Sequence, residues 1–270
     1  MLSNLKTGNA STQSTNLQHT SRIMEKILTP PERLIVAADF KPTERHHGRS
    51  WVHNNVRTLA ASLDGTGVYL KVNSALRACG YDMIGMIHDY GLRVFADLKL
   101  YDISETLAID GALLQAASPE LLTTVCSVSQ KAMSDLKSAL PNTEVLGVTI
   151  LTDLTADEVL EMYQCSIEEA ANYLASRAKK SNLDGLIASV AEATRLRSVV
   201  GDEMTINTPA IRPTWAMVAG DDQNPKRSRT PAEAIVAGAD RIVVGRPITQ
   251  SEKPYDAVMR TIDEIASAVS

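Results

Sequence analysis

The chain has 270 residues, of which 44% are hydrophobic and 22% are charged, so it can bury a core of ordinary size. Its formal net charge of -5 excludes the broadly basic surface with which proteins bind nucleic acid or anionic membranes. The cysteines, Cys79, Cys126 and Cys165, are odd in number and widely spaced, which predicts free thiols in a reducing, cytoplasmic compartment rather than disulfides or a metal site.

The first 31 residues differ in composition from the rest of the chain. They are rich in Ser, Thr, Asn and Gln, and large apolar residues are few before Ile23. This composition predicts a flexible N-terminal extension over residues 1–31, followed by one folded domain over residues 32–270. No run of about 18 apolar residues marks a membrane helix, and the N-terminus lacks the charged-then-apolar order of a secretory signal.

Apolar runs of strand length then alternate with amphipathic segments of helix length. Eight strands are predicted, at Leu34–Asp39, Val68–Asn73, Leu92–Asp97, Leu121–Ser127, Val145–Thr149, Gly185–Ser189, Met204–Asn207 and Arg241–Val244. Eight helices are predicted between and after them, near 50–62, 75–90, 105–117, 129–139, 156–179, 191–200, 230–237 and 254–268.

This alternation is typical of parallel strands joined by right-handed crossovers. Eight such units can close into a (β/α)8 TIM barrel or remain open as a doubly wound sheet. The GxGxxG fingerprint of a dinucleotide-binding sheet is absent after the first strand. We therefore predict an α/β fold, a single-domain (β/α)8 barrel.

The third predicted strand ends in an acid and a base. Its period of two sends Asp97 and Lys99 to one face and Leu98 to the other. Asp102 follows in the next loop, at the end of the barrel where such enzymes build active sites, and its carboxylate could point into this site or into that of a neighbouring subunit.

Two more charges end the neighbouring strands. Lys71 lies within an apolar strand, where it needs a partner carboxylate, and Asp39 closes the first strand. Each charge taken singly fits an ordinary strand-end charge or a structural ion pair. Together the four charges on three consecutive strands favour an active site.

The last two strands end in a second group of polar loops. Thr208–Pro213 follows the seventh strand and Gly245–Pro247 follows the eighth, where such barrels usually bind phosphate. Gly245 lets a backbone N–H approach an anion, and Arg246 can hold phosphate oxygens through two parallel hydrogen bonds, although it could instead pair with a surface carboxylate. The polar segment Trp215–Arg229 is long enough to form a lid.

These motifs resemble those of the orotidine 5'-monophosphate decarboxylase family. DLKLYD at 97–102 is similar to its D-x-K-x-x-D signature, and PAIRP at 209–213, DDQ at 221–223 and VVGRPIT at 243–249 are similar to its phosphate-binding segments. The resemblance runs from about Leu34 to the C-terminus. It implies decarboxylation of orotidine 5'-monophosphate to uridine 5'-monophosphate and CO2, the last step of de novo UMP synthesis, without metal or cofactor.

The resemblance also implies a role for particular residues. Lys71, Asp97, Lys99 and Asp102 would form a charged tetrad, with Lys99 as proton donor to C6 and Asp102 supplied across a homodimer interface. Asp39 and Lys71 would hold the ribose hydroxyls, Thr152 would face the pyrimidine edge, and Ile103 and Thr106 would reach in from the partner subunit. The phosphate would be bound by Pro209, Arg212, Gln223, Gly245 and Arg246.

Some positions depart from the family pattern outside the tetrad. These are Tyr101 for a histidine, Ser104 for a proline, Asn73 for a glycine, Cys126 for a histidine and Ala210 for a glycine; Asn224 and Pro225 also lengthen the segment before Lys226. They bear on the fit of the substrate more than on the chemistry.

Two alternatives remain. A metal-dependent sugar-phosphate decarboxylase or aldolase of the same barrel group would carry an acidic metal ligand on the second strand, where this chain has Lys71. A catalytically silent nucleotide-binding protein could keep the barrel and the phosphate site, although the intact tetrad argues against it.

Overall fold

The computed structural model describes residues 28–217 and 229–269, and in it eight parallel strands close into one barrel in sequence order. The strands are β1 (Leu34–Ala37), β2 (Tyr69–Val72), β3 (Arg93–Leu100), β4 (Leu121–Val125), β5 (Glu144–Val148), β6 (Gly185–Ile187), β7 (Thr205–Thr208) and β8 (Arg241–Val244). β1 pairs with β8, with Leu34 opposite Ile242, and this pairing closes the ring. The predicted (β/α)8 barrel is confirmed, and the open doubly wound sheet is excluded.

Helices follow the strands and cover the barrel. They are α1 (Arg49–Ser62), α2 (Ser74–Cys79), α3 (Asp82–His88), α4 (Ser104–Ala117), α5 (Gln130–Ala139), α6 (Ala156–Tyr163), α7 (Ile167–Lys180), α8 (Val190–Val200), α9 (Pro231–Val236), α10 (Arg246–Thr249) and α11 (Pro254–Val269). Among the described residues, no helix is both long enough and apolar enough to cross a membrane.

Both faces of every strand are covered, which explains why the strands read as nearly continuous apolar runs. Leu70 and Val72 point outward into the large core between the strands and the helices. Tyr69 and Phe95 belong to a smaller cluster of buried residues inside the ring. The period of two assumed for β2 is therefore confirmed, and it carries Lys71 to the inside.

Two of the helix predictions were wrong, because each predicted segment forms two separate helices in the structure. The segment 75–90 breaks at Gly80, whose φ of 87° lies in the left-handed region that glycine adopts readily. The segment 156–179 breaks after Tyr163, and Ser166 starts a new helix with a capping box to Glu169. In both cases a stop or start signal inside the segment outweighs the continuous amphipathic pattern.

The end of the barrel where the strands begin is filled by a buried ion pair. Arg241, the first residue of β8, is 0% exposed and donates from Nη1 and Nη2 to the two carboxylate oxygens of Glu144, 2.9 Å each. Its guanidinium also lies over the ring of Tyr69, 5.2 Å from the centroid. This end of the barrel is therefore plugged, and the open end lies opposite.

Candidate active site

A cavity of about 470 Å3 opens at the carboxyl ends of the strands. Residues that end β1, β2 and β3 line one side of it, and residues that follow β5, β7 and β8 line the other. Among the predicted site residues, the cavity is lined by Asp39, Lys71, Asp97, Lys99, Thr152, Pro209, Gly245 and Arg246.

Four charged side chains alternate in sign along one wall of the cavity. Lys71 Nζ lies 2.9 Å from Asp39 Oδ2 and 3.4 Å from Asp97 Oδ2. Lys99 Nζ donates to both carboxylate oxygens of Asp97 at 2.7 Å. The row runs Asp39, Lys71, Asp97, Lys99, so each inner charge lies between two of opposite sign.

Asp97 is the most enclosed carboxylate of this row, with a side chain only 8% exposed. Burial by itself would raise its pKa, but the charges of Lys71 and Lys99 and the hydrogen bonds from Lys99 and Thr123 outweigh burial. The pKa of Asp97 therefore lies below its ordinary value, and Asp97 is a carboxylate at neutral pH. Lys99 Nζ therefore has an ionised carboxylate as its hydrogen-bond partner.

Lys99 has an unusual backbone conformation. Its φ of 49° is in the left-handed region, which costs a non-glycine residue roughly 1 kcal/mol or more. β3 also loses its regular register with β4 there. Ala96 pairs with Leu122 and Leu100 pairs with Thr124, so an advance of four residues along β3 matches an advance of only two along β4. Asp97 and Lys99 were predicted to lie on one face of a regular strand, and their side chains do touch. A bulge, rather than a regular strand, brings them together.

Three residues predicted to act from a partner subunit lie outside this cavity. Asp102 is exposed, and one of its carboxylate oxygens accepts the backbone N–H of Ile103. Ile103 is 68% exposed, and Thr106 is half-buried on the first turn of α4. The structure thus brings three members of the predicted tetrad together within one chain and leaves Asp102 at the surface.

The opposite side of the cavity is built by the loops after β7 and β8. Pro209, Gly245 and Arg246 line it. Arg212 is 8% exposed and lines an adjoining depression of about 330 Å3, which it shares with Arg246. Arg212 and Arg246 therefore lie together at one end of the site, whereas Gln223 lies outside the described residues.

Gly245 has more room than the prediction assumed. A Cβ added to it would meet Ala37 Cβ at 3.7 Å, an ordinary contact, and its φ is negative. A Cβ at this position would therefore meet no close protein atom, and packing within the protein does not require a glycine here.

Several departures from the family pattern now have physical explanations. Ala210 has a φ of 64°, a conformation that glycine adopts without strain. Asn73 donates to Asp97 Oδ2 at 3.4 Å, so an amide extends the charged row. Ser104 donates to the carboxylate of Asp135 on α5, which a proline could not do. Burial raises the pKa of the Cys126 thiol to about 12, so this thiol is unreactive.

Sequence reasoning missed Thr123, the residue of β4 that touches the charged row most directly. Its Oγ1 lies 2.9 Å from Asp97 Oδ1 and 2.9 Å from the backbone N of Lys99. The only available signal was the alternation of β4, which places Thr123 on the inner face between Leu121 and Val125.

The fold and the site define a (β/α)8-barrel protein with a charged cavity at the carboxyl ends of its strands, where the active sites of such barrels lie. More particularly, the chain belongs to the orotidine 5'-phosphate decarboxylase / HUMPS family, whose model matches residues 32–261.

Curated relatives and solved structures agree with this family. The chain is 36% identical over 250 residues to an orotidine 5'-phosphate decarboxylase of Nitrobacter winogradskyi, covering 88% of this chain and 94% of the relative. It is 34% identical to that of Rhodopseudomonas palustris, covering 88% and 97%. The crystal structure of orotidine 5'-phosphate decarboxylase from Lactobacillus acidophilus superposes with a TM-score of 0.70 at 27% identity, covering 87% of this chain and 99% of that one.

Proposed function

We propose that this protein decarboxylates orotidine 5'-monophosphate to uridine 5'-monophosphate and CO2, the last step of de novo UMP synthesis. The observation that carries the proposal is the contact of Lys99 Nζ with Asp97 at 2.7 Å, inside a row that also contains Lys71 and Asp39. The family and the names of the curated relatives support the same reaction.

The chemistry requires one positive charge that is also a proton donor. When the bond from C6 to the carboxylate breaks, CO2 leaves and the electron pair stays on C6 of the pyrimidine as a carbanion. The ammonium group of Lys99 stabilises that charge and transfers a proton to C6, so that Lys99 ends neutral. Because Lys99 Nζ is already held by the carboxylate of Asp97, the stabilising group is in place before the reaction begins.

The remaining site residues are assigned to the rest of the nucleotide. Asp39 and Lys71 bind the ribose hydroxyls, and Thr152 at the rim faces the edge of the pyrimidine. The phosphate is assigned to the space between the turns after β7 and β8, where Pro209, Arg212, Gly245 and Arg246 lie. Gln223, which is outside the described residues, is assigned to the phosphate on the family resemblance alone. Binding energy from this remote group is available to hold the ring against Lys99.

A homodimer completes the proposed site. Apolar side chains at the end of β3 and along α4 are unusually exposed, with Tyr101 at 67%, Ile103 at 68%, Ile109 at 55% and Leu113 at 58%. An exposed apolar patch of this kind favours a protein interface. Asp102 lies within it, so a second copy that covers the patch receives Asp102, Ile103 and Thr106 from its partner.

The proposal includes a mechanism without metal or cofactor. A metal-dependent sugar-phosphate enzyme of this group needs an acidic ligand where Lys71 lies, and the Lys71 ammonium already occupies the space between Asp39 and Asp97. Within residues 28–217 and 229–269, no group of three or more His, Cys, Asp or Glu side chains could hold a metal ion. We therefore expect activity to survive dialysis against a chelator.

A cytoplasmic location belongs to the same proposal. Cys79, Cys126 and Cys165 are free thiols, which favours a reducing compartment.

The test is a direct assay. Purified protein should convert orotidine 5'-monophosphate to uridine 5'-monophosphate, followed by the loss of substrate absorbance and by release of CO2. Lys99→Ala should abolish turnover, whereas the matched control Lys253→Ala, which removes a lysine with an 80% exposed side chain, should leave it unchanged. An inactive wild-type protein, or full activity in Lys99→Ala, contradicts the proposal.

A further inference from the structure

Thr123 lies in the middle of β4 and is completely buried. Its hydroxyl oxygen is 2.9 Å from the backbone N of Lys99 and 2.9 Å from Asp97 Oδ1. One hydroxyl therefore contacts the main chain of the proposed proton donor and the carboxylate that accepts hydrogen bonds from the donor's side chain.

The direction of both hydrogen bonds is fixed by chemistry. The amide N–H of Lys99 can only donate, and the ionised carboxylate of Asp97 can only accept. The Thr123 hydroxyl must therefore accept from Lys99 and donate its single proton to Asp97. Its orientation is determined from both sides, and neither a thiol nor a methyl group can replace it in this double role.

The position of this hydroxyl matches the irregular part of β3. Between Ala96 and Leu100 the regular pairing with β4 is lost, so the amide of Lys99 cannot donate to a ladder carbonyl in the usual way. Lys99 is also in the left-handed region, with a φ of 49°. The hydroxyl of Thr123 gives the buried amide an acceptor in this conformation and so stabilises the bulge.

We propose that Thr123 is a positioning residue for proton transfer, which holds the Lys99 backbone in the bulge and the Asp97 carboxylate in the orientation that meets Lys99 Nζ. This inference rests on the proposed decarboxylation and extends it to a residue that need not touch the substrate. Without the hydroxyl, Lys99 Nζ would be aligned with C6 less often.

The neighbouring residue offers a matched control. Thr124 is also completely buried, and its Oγ1 donates to the carbonyl of Leu100 at 2.9 Å. Thr124 faces the helices rather than the interior of the barrel, because successive strand residues alternate. Thr123→Val and Thr124→Val therefore each remove one buried hydroxyl from the same strand, but only Thr123→Val removes a contact with Asp97 and Lys99.

The experiment compares kcat and KM for orotidine 5'-monophosphate in the wild type, Thr123→Val, Thr124→Val and Thr123→Ser. We expect kcat of Thr123→Val to fall by about tenfold or more, with KM changed much less, since the loss of one such hydrogen bond in the transition state is worth roughly one order of magnitude. Thr123→Ser, which retains the hydroxyl, should recover most of kcat. Thr124→Val should keep kcat close to the wild-type value.

A second measurement does not depend on turnover. Hydrogen exchange of the Lys99 amide should be faster in Thr123→Val than in the wild type and in Thr124→Val, whereas amides in the middle of β1 should not change. Active wild-type protein with equal kcat in the two valine variants overturns the role of Thr123 and leaves the decarboxylase proposal intact. If Thr123→Val is too unstable to assay, a low kcat in Thr123→Ser together with an unchanged Lys99 exchange rate overturns it equally.

Discussion

The guanidinium of Arg241 and the carboxylate of Glu144 form two hydrogen bonds of 2.9 Å each across the inside of the ring, between strands β8 and β5, which β6 and β7 separate. This ion pair joins two strands that are not neighbours in the sheet. It lies at the end of the barrel away from the site, so changes to it affect stability rather than substrate binding.

Glu144→Gln should therefore destabilise the fold strongly. It leaves the charge of Arg241 in a place with no solvent access, and removal of one partner of a buried ion pair typically costs about 3 kcal/mol or more. Chemical denaturation measures the change in the free energy of unfolding. The exposed Glu203→Gln is the control and should change it by less than about 0.5 kcal/mol; equal midpoints for the two variants would be the contrary result.

Ala210→Gly should stabilise the protein, although most substitutions of alanine by glycine destabilise. Ala210 has a φ of 64°, so glycine relieves strain of roughly 1 kcal/mol, partly offset by the greater entropy of the unfolded chain. Ala191→Gly on the exposed first turn of α8 is the matched control and should destabilise the protein by less than about 1 kcal/mol, the cost in a helix interior. The two variants should shift the melting temperature in opposite directions, and shifts of the same sign would show that Ala210 is unstrained.

The pair His88–Glu120 should give stability a pH dependence. The hydrogen bond to Glu120 raises the pKa of His88 above 6.5 despite partial burial. Burial favours a higher pKa for Glu120, but the hydrogen bonds from His88 and from the N–H of Val94 outweigh it, so the pKa of Glu120 falls below 4.5. The stabilisation by His88 is complete below pH 6.5 and is lost as pH rises through the raised pKa. The stabilisation by Glu120 is complete above pH 4.5 and is lost as pH falls through the lowered pKa of Glu120.

The contribution of this pair is therefore greatest between pH 4.5 and 6.5. Melting temperatures of the wild type and of His88→Asn, measured from pH 4 to pH 9, should differ most within that window and converge above it. A difference that grows toward pH 9 would mean that the charged pair is not what stabilises this contact.

The proposed exchange of Asp102 between subunits predicts complementation. Lys99→Ala and Asp102→Ala should each be inactive alone. After the two are unfolded together and refolded, half of the dimers should be mixed, and each mixed dimer has one site with both natural residues, which restores about a quarter of wild-type activity. If Asp102 acts within its own chain, every mixed site lacks one residue and activity stays absent.

The barrel architecture was predictable because a repeated sequence pattern specifies it. Eight apolar runs with helices between them define a parallel barrel even when single boundaries are wrong by a few residues, as for β3, which continues to Leu100. The row of Asp39, Lys71, Asp97 and Lys99 was predictable for a related reason: parallel strands bring their carboxyl ends to one edge of the sheet. Distances within the row, and the order of its charges, needed the structure.

What the sequence did not reveal depends on local departures from regular geometry. The period of two predicts the faces of β3 and β4, but the bulge at Lys99 changes which β4 residue lies beside it. The alternation of β4 places Thr123 on the inner face, but its contact with two members of the row depends on that bulge, which no spacing rule indicates. Similarly, Gly80 and Ser166 each end or begin a helix within an amphipathic segment that reads as continuous.

The pairing of β1 with β8 has a consequence for how the enzyme is made. Asp39, Lys71, Asp97 and Lys99 all precede residue 101, whereas Gly245 and Arg246 follow β8 and are synthesised much later. A nascent chain thus contains the residues of the charged row long before it contains the loop that we propose binds phosphate. We expect truncated or split forms of the protein to be inactive until β8 pairs with β1. Catalytic activity in a fragment-reassembly experiment would therefore report that this pairing has formed.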